Sequence, residues 1–416
     1  MPSSSTSGQQ VLGKINCAIV LRALRAHANG AARVADLARE TGLSRPAVTR
    51  ALATLELENL VEFEEAGGVA DRQVGRPARH ARFRAEAGFV AGIDIGPHKV
   101  TTAIADLSGT VQVVRQNPLS GSTDGEELAR VVLQDLLLAL DEAGLSQADL
   151  WAVTAGTPGI VDHDAGVVLK APSIPGWAGL PLVSHLRAAL GCPVYLDNDI
   201  TLAVLAEQRH GTSTGADTMV LVHWGERIGA GIIVNGRPHR GAHCAAGELG
   251  FIDILTPGPV APPEGQHGDS DREIVGMGPF ESQVAAAAIK RHAEHTYARA
   301  GQPLPAGLHH DTHDLAPLFD AAASNDALAA SVVDDIAQLF ARGLSTLLLA
   351  LDPDHVVIGG GLSNAGETLL EPVRAHLARL LLVPVNLRTS TLGTSAVALG
   401  AIRHALDAVD ADQLNL

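Results

Sequence analysis

Residues 89–114 read FVAGIDIGPHKVTTAIADLSGTVQVV, and residues 218–241 read TMVLVHWGERIGAGIIVNGRPHRG. Each stretch is a β-branched run, a tight glycine-containing turn, a second apolar run and a hairpin turn, Ser108–Gly109 in one and Asn235–Gly236 in the other. Gly225 of the second stretch stands where Gly96 stands in the first. Helical patterns follow both. Two strand–turn–strand units of one plan predict an α/β protein of two similar lobes with a cleft between them.

Upstream of the first unit the texture is different. Residues 11–28 place Ile15, Ile19, Leu21 and Leu24 near helical spacing, and 34–42 (VADLARETG) reads as a second helix with Leu37 and Ala38 inward. Gly42 supplies a turn, Ser44 an N-cap, and Pro46 sits in the first turn of a third helix, where a missing N–H costs nothing. That helix buries Val48, Leu52 and Leu55 and shows Arg45, Thr49 and Arg50 on its opposite face. A strand at Leu60–Phe63, a loop rich in Gly and Arg, and a closing strand ARFRA complete a winged helix-turn-helix. Arg45, Pro46, Thr49 and Arg50 would meet the major groove, and Arg72, Arg76 and Arg79 of the wing a narrow minor groove. The bland alternative, a small bundle with a solvated arginine face, leaves the Gly-Arg-Pro loop tip unexplained.

Charge supports this division. The 416-residue chain has a net charge of −16, but residues 1–85 carry +4 and residues 86–416 carry −20. A basic head on an acidic body is expected when only the head meets phosphates. Cys17, Cys192 and Cys244 form no CxxC pair, which fits a reducing, cytoplasmic setting. The first apolar run is cut by Arg22, too short for a signal peptide. The apolar segment 335–351 contains Arg342 and reads as a buried core helix, not a membrane span.

Seven ordered stretches of the body resemble the ROK family of sugar kinases and sugar-responsive repressors. They are DIGPHK with DLSG (106–109), GTPGIVD (156–162), SIPGWAGLPL (173–182), LDNDITLAVLAE (196–207), IGAGIIVNGRPHRGA (228–242), AAGELGF (245–251) and VVIGGGLS (356–363). The resemblance implies an actin-like, hexokinase-like fold, a duplicated ribonuclease H-like lobe, and a winged helix-turn-helix of the kind carried by the family's regulators. It places the DNA-binding domain at 1–85 and the kinase-like domain at 86–416. The lobes would be 86–200 with the C-terminal helix 391–416, and 201–390.

The resemblance also assigns an effector site. Asp199 matches the kinases' general base, with Asn198 beside it, Glu248 as a second sugar contact and Glu281 as a third. Each has a bland reading: a helix N-cap for Asp199, a surface carboxylate for Glu248 and Glu281. The departures point away from catalysis. Pro97, His98 and Lys99 replace Gly-Thr-Lys, removing a phosphate-loop donor, and Glu226 and Arg227 interrupt the second glycine loop. Phe251 stands where the family has a zinc-binding histidine, and residues 256–278 hold no cysteine, so neither zinc nor ATP is expected as a cofactor. Histidine groups at His309, His310 and His313, and at His239 and His243, are candidate metal ligands but read more simply as solvated loops.

The chain is therefore expected to be a non-catalytic, sugar-responsive regulator. Its partners would be operator DNA, a sugar-like effector and a second copy of itself, in a homodimer or higher oligomer, with no membrane. Two readings compete with it: an ATP-dependent sugar kinase carrying a DNA-binding head, and a DNA-binding protein whose body is only a scaffold.

Overall fold

The computed structural model describes residues 5–27, 30–65, 79–119, 123–253, 278–309, 314–412 and 414, without the side chains of residues 5–11, Glu65, Arg79 and Asp412. The head contains α1 (Ser5–Ala26), β1 (Ala31–Arg33), α2 (Val34–Thr41), α3 (Arg45–Leu57), β2 (Val61–Glu65) and β3 (Arg79–Phe83). Its three strands form an antiparallel sheet in the order β1-β3-β2. Gly42 closes α2 in the left-handed region at φ 70°, and the Ala47 amide of α3 donates to Ser44 Oγ at 3.4 Å. The helix-turn-helix thus follows from turn and cap chemistry legible in sequence.

The first helix differs in detail from the sequence expectation. It starts at Ser5, and its buried face is Ala18, Val20, Leu21 and Leu24, while Ile15 is exposed. Helical spacing alone placed Ile15 too deep. The wing loop of residues 66–78, with Arg72 and Arg76, lies outside the described residues, as do His310, His313 and residues 254–277.

The body begins with β4 (Phe89–Ile95), β5 (Lys99–Asp106), β6 (Val111–Pro118), α4 (Gly125–Glu142), β7 (Leu150–Thr157), β8 (Ile160–Asp162), β9 (Val167–Lys170), α5 (Leu182–Leu190) and β10 (Val194–Asn198). After α6 (Asp199–His210) come β11 (Met219–Trp224), β12 (Ile228–Val234), β13 (Arg237–Pro238), α7 (Glu281–Val284), α8 (Ala286–Ala300), α9 (Ala316–Ala323), α10 (Ala327–Leu351), β14 (His355–Gly359), α11 (Glu367–Leu380), β15 (Leu387–Thr389) and α12 (Ala396–Asp412). The two five-stranded sheets, β6-β5-β4-β7-β10 and β13-β12-β11-β14-β15, share one plan. Three antiparallel strands are followed by two parallel ones. The duplication read from the two glycine-turn units is the actual topology. Asn235 and Gly236, at φ 52° and 71°, make the hairpin turn that only such residues adopt without strain.

Both sheets are covered on both faces, which is why their strands read as near-continuous apolar runs. Ala91, Ile93 and Ile95 of β4 pack with Leu128, Val132 and Leu136 of α4, while Val90 faces Ile402, Ala405 and Leu406 of α12. In β11, Met219 and Leu221 meet α6, while Val220, Val222 and Trp224 meet α10. Fully burying each large side chain contributes about 1.5–3 kcal/mol. The segment 335–351 belongs to α10, and its Ile336, Ala337, Phe340 and Leu344 are core, as expected. Among the described residues no helix is long and apolar enough to cross a membrane.

Two glycines allow α12 to lie close to both β4 and α6. A Cβ at Gly92 would come 2.3 Å from the Ala398 carbonyl oxygen, and one at Gly400 1.8 Å from that of Leu202. The same helix meets the head. Val20, Leu21, Leu24 and Phe83 share one apolar cluster with Ile402, Ala405 and Val409. Arg25 pairs with Asp410 and donates to the Leu107 carbonyl at 3.0 Å. The head is therefore packed onto the body through α12.

Candidate functional site

A cavity of about 430 Å³ opens between the two lobes, in the size range that takes small ligands. Its first-lobe wall is the end of β10 and the start of α6, with the β7–β8 turn beside them. Its second-lobe wall comes from β11, the loop to β12, and the Gly247–Glu248 turn. Asn198, Asp199, Glu248 and Glu281 all line it. Residues far apart in sequence, marked by the family resemblance, are thus brought to one place.

Their environments differ. The α6 cap is Asn198, not Asp199. Asn198 Oδ1 accepts from the Thr201 amide at 3.0 Å, and its Nδ2 donates to the Gly159 carbonyl at 2.9 Å. The cap expectation for Asp199 is corrected accordingly: helical geometry begins one residue earlier than assumed. Asp199 takes the Ile200 amide on Oδ1 at 2.8 Å and lines the cavity. Burial pushes its carboxyl above the usual range, while His223, the Ile200 amide and Asn198 pull the other way. Burial prevails.

Glu248 is also raised, by burial first and then by Asp199 and Glu281, with Arg227 opposing. Glu281 is almost fully buried, so it is no surface carboxylate. Its Oε1 accepts from Arg227 Nε at 2.6 Å and the Ile228 amide at 3.0 Å, and Oε2 takes the Gly278 amide at 3.3 Å. Its acceptors are already occupied within the protein. Arg227, which interrupts the glycine loop, is the partner that holds it.

Two further groups escaped the sequence reading. Asp94 ends β4 behind the site, pushed up to about 7 by burial and by Asp199, with Lys99 opposing. The signal was present in the DIG stretch, which was read only as a turn. His223 of β11 lines the cavity and faces Asp199; burial holds its pKa low against the pull of that carboxylate. No sequence signal marked it, because the pairing joins two lobes.

The altered loops also meet. His98 of the first lobe lies 3.8 Å from Glu226 of the second, both exposed. Phe251 lines the cavity with its ring partly open to solvent. Among the described residues no three His, Cys, Asp or Glu side chains are grouped to hold a metal ion. Cys244 Sγ lies 3.9 Å from His163 Nδ1, and does not join His239 or His243 in such a group. A cavity lined by the Asp199 and Glu248 carboxylates and an aromatic edge is suited chemically to a polyhydroxylated ligand.

On the head, Arg45, Pro46, Thr49 and Arg50 form an exposed face of α3, with Val48, Ala51, Leu52 and Leu55 buried behind them. Thr49 Oγ1 donates back to the Arg45 carbonyl at 2.9 Å. Arg79 lies at the start of β3.

A profile described as the ROK family matches residues 90–408, and one described as the MarR family matches residues 14–70. A glucokinase of Halalkalibacterium halodurans is 31% identical over 319 residues, covering 75% of this chain and 93% of its own length. A xylose repressor of Bacillus spizizenii is 23% identical over 410 residues, covering 96% of this chain and 98% of its own. A crystal structure of a ROK family transcriptional regulator, a homolog of the E. coli MLC protein, superposes with a TM-score of 0.77 at 22% identity, covering 97% and 98% of the two chains.

Proposed function

The chain belongs to the ROK family and carries a MarR-type winged helix-turn-helix ahead of the family domain, and from this premise we propose that it is a sequence-specific DNA-binding regulator, acting as a repressor, governed by a sugar-like effector. The observation that carries the reading is the α3 face. Arg45, Pro46, Thr49 and Arg50 are exposed together on a helix whose other side is core, and the head bearing it is packed on a body with an interlobe cavity lined by Asn198, Asp199 and Glu248. Residues 1–85 are assigned to DNA binding, and residues 86–416 to effector binding and dimerisation. Paired heads in a homodimer or higher oligomer would read two half-sites of an operator. Arg45, Thr49 and Arg50 read base edges in the major groove; Arg72, Arg76 and Arg79 add contacts from the wing. This activity belongs in the cytoplasm.

In the cleft, sugar hydroxyls donate to Asp199 and Glu248, with Asn198 lining the site beside them. Glu281 contributes through the guanidinium it holds. Effector binding would close the lobes, move α6 and α12, and so reset the head; the effector switches the protein only by binding one arrangement more tightly.

The loops do not fit a nucleotide triphosphate. Pro97 offers no amide, Glu226 places a carboxylate at the loop mouth beside His98, and Arg227 is drawn away to Glu281. A second reading, a sugar kinase with a DNA-binding head, is favoured by one observation: Asp199 lines the cavity where a general base would stand. Fluorescence anisotropy with a DNA fragment from upstream of the gene, titrated with a sugar panel, tests the regulator. No binding preference over random DNA at low salt would refute it. Release of ADP with any of those sugars, abolished by Asp199→Ala, would establish the kinase instead.

A further inference from the structure

A second cavity, of about 710 Å³, lies at the seam between head and body. Its walls come from α1, β3, the turn after β5, the end of α6 and the last turns of α12. Five arginines line it, against two aspartates, Asp407 and Asp410. Three of the five are engaged: Arg25 with Asp410, Arg403 with Asp407, and Arg82 with Glu62, Glu64 and Glu86. The other two, Arg22 of α1 and Arg209 of α6, are exposed and make no hydrogen bond or ion pair among the described residues.

This leaves positive charge facing a void from both sides of the seam. The neighbouring His210 registers it, since its pKa is lowered by burial and then by Arg209 and Arg403. Guanidinium groups match phosphate oxygens in charge and in planar, two-pronged geometry. We propose that the seam is a binding site for a phosphate-bearing small molecule, which bridges Arg22 of the head and Arg209 of the body and fixes one on the other. The crevice is walled by segments of both modules, so it admits a metabolite-sized anion. A duplex could bring only an edge phosphate to it. The site is separate from the Asp199 cleft, and the inference does not depend on what occupies that cleft. Because α6 begins at Asp199 and nearly ends at Arg209, an anion here would act on the helix that also serves the cleft.

The test uses the full chain without DNA, glucose 6-phosphate and pyrophosphate as probes, and glucose as the control. Thermal melting and calorimetry should show saturable binding of both phosphates. Affinity for pyrophosphate, which has no sugar hydroxyls for the cleft, should fall at least tenfold in the Arg22→Ser/Arg209→Ser double variant. Unchanged pyrophosphate affinity in the double variant would overturn the proposal. Footprinting of the unmutated protein with phenylglyoxal, read by mass spectrometry, decides the matter if the double variant folds poorly. Pyrophosphate should protect Arg22 and Arg209 from modification. Protection by a DNA fragment alone, with none from pyrophosphate, would make the occupant a DNA backbone phosphate and the proposal wrong.

Discussion

Arg240, in the loop after β13, lies along Asp197 at the end of β10, with Nε 3.0 Å from Oδ2. The pair joins the second lobe to the strand that delivers Asn198 and Asp199 to the cavity. Asp197 is buried and Arg240 mostly so. Removing one partner of such a pair strands a charge in a poor solvent, whereas an apolar replacement of both is often neutral. Arg240→Ala should therefore destabilise the protein by about 3 kcal/mol, read from urea unfolding. Arg240→Met combined with Asp197→Leu should recover most of the loss.

Asp94 gives a pH dependence whose sign can be worked out. Its folded pKa of about 7 lies above the ordinary value of 3.8, so the folded state holds the proton longer than the unfolded one. Its contribution to stability therefore falls as pH rises from about 4 to about 7, and is constant above. Asp94→Asn removes the cost of burying the charge. The variant's gain in stability over the unmutated protein should be larger at pH 8 than at pH 5, by on the order of 2–3 kcal/mol. Equal gains at both pH values would show that Asp94 does not titrate in this range.

Asn198 caps α6 and ties it to the Gly159 carbonyl. Asn198→Ala loses both bonds and should cost about 1–2 kcal/mol in thermal unfolding. Asn198→Asp keeps the cap acceptor but loses the donor to Gly159, so its loss should be smaller than that of Asn198→Ala.

For the effector, Asp199→Asn and Glu248→Gln each replace a charged acceptor. A hydrogen bond to a charged group is worth about 1.5–3 kcal/mol, so each change should weaken the active sugar at least about tenfold in a titration of operator release. Operator affinity without sugar should be untouched.

On the head, Arg50→Ala should weaken operator binding by about 1–3 kcal/mol and relax preference at one base position. Arg76→Ala should weaken all sequences alike and reduce the dependence on salt. Anisotropy across a salt series separates the two behaviours.

Most of the architecture was legible because its determinants are local. Ser44, Pro46 and Gly42 mark helix ends through their own dihedral preferences and nearby amides. Asn235–Gly236 dictates a hairpin for the same reason, and the repeated strand–turn–strand plan exposes the duplication. The choice of Asn198 over Asp199 as the cap was not legible, since both side chains can cap and one residue of backbone geometry decides between them. Ile15 was placed in the core by helical spacing alone and found exposed.

The amino-acid order by itself determined the two modules and the doubled sheet, because periodicity and turn chemistry act over a few residues, while the carboxylates of the cleft were marked only by the family resemblance. Only the tertiary structure decided that Arg227 occupies Glu281, that His223 faces Asp199, that His98 meets Glu226, and that Arg22 and Arg209 share a crevice. Each of these pairings joins segments remote in sequence, and electrostatic energy depends on distance and burial in space, which chain position does not encode.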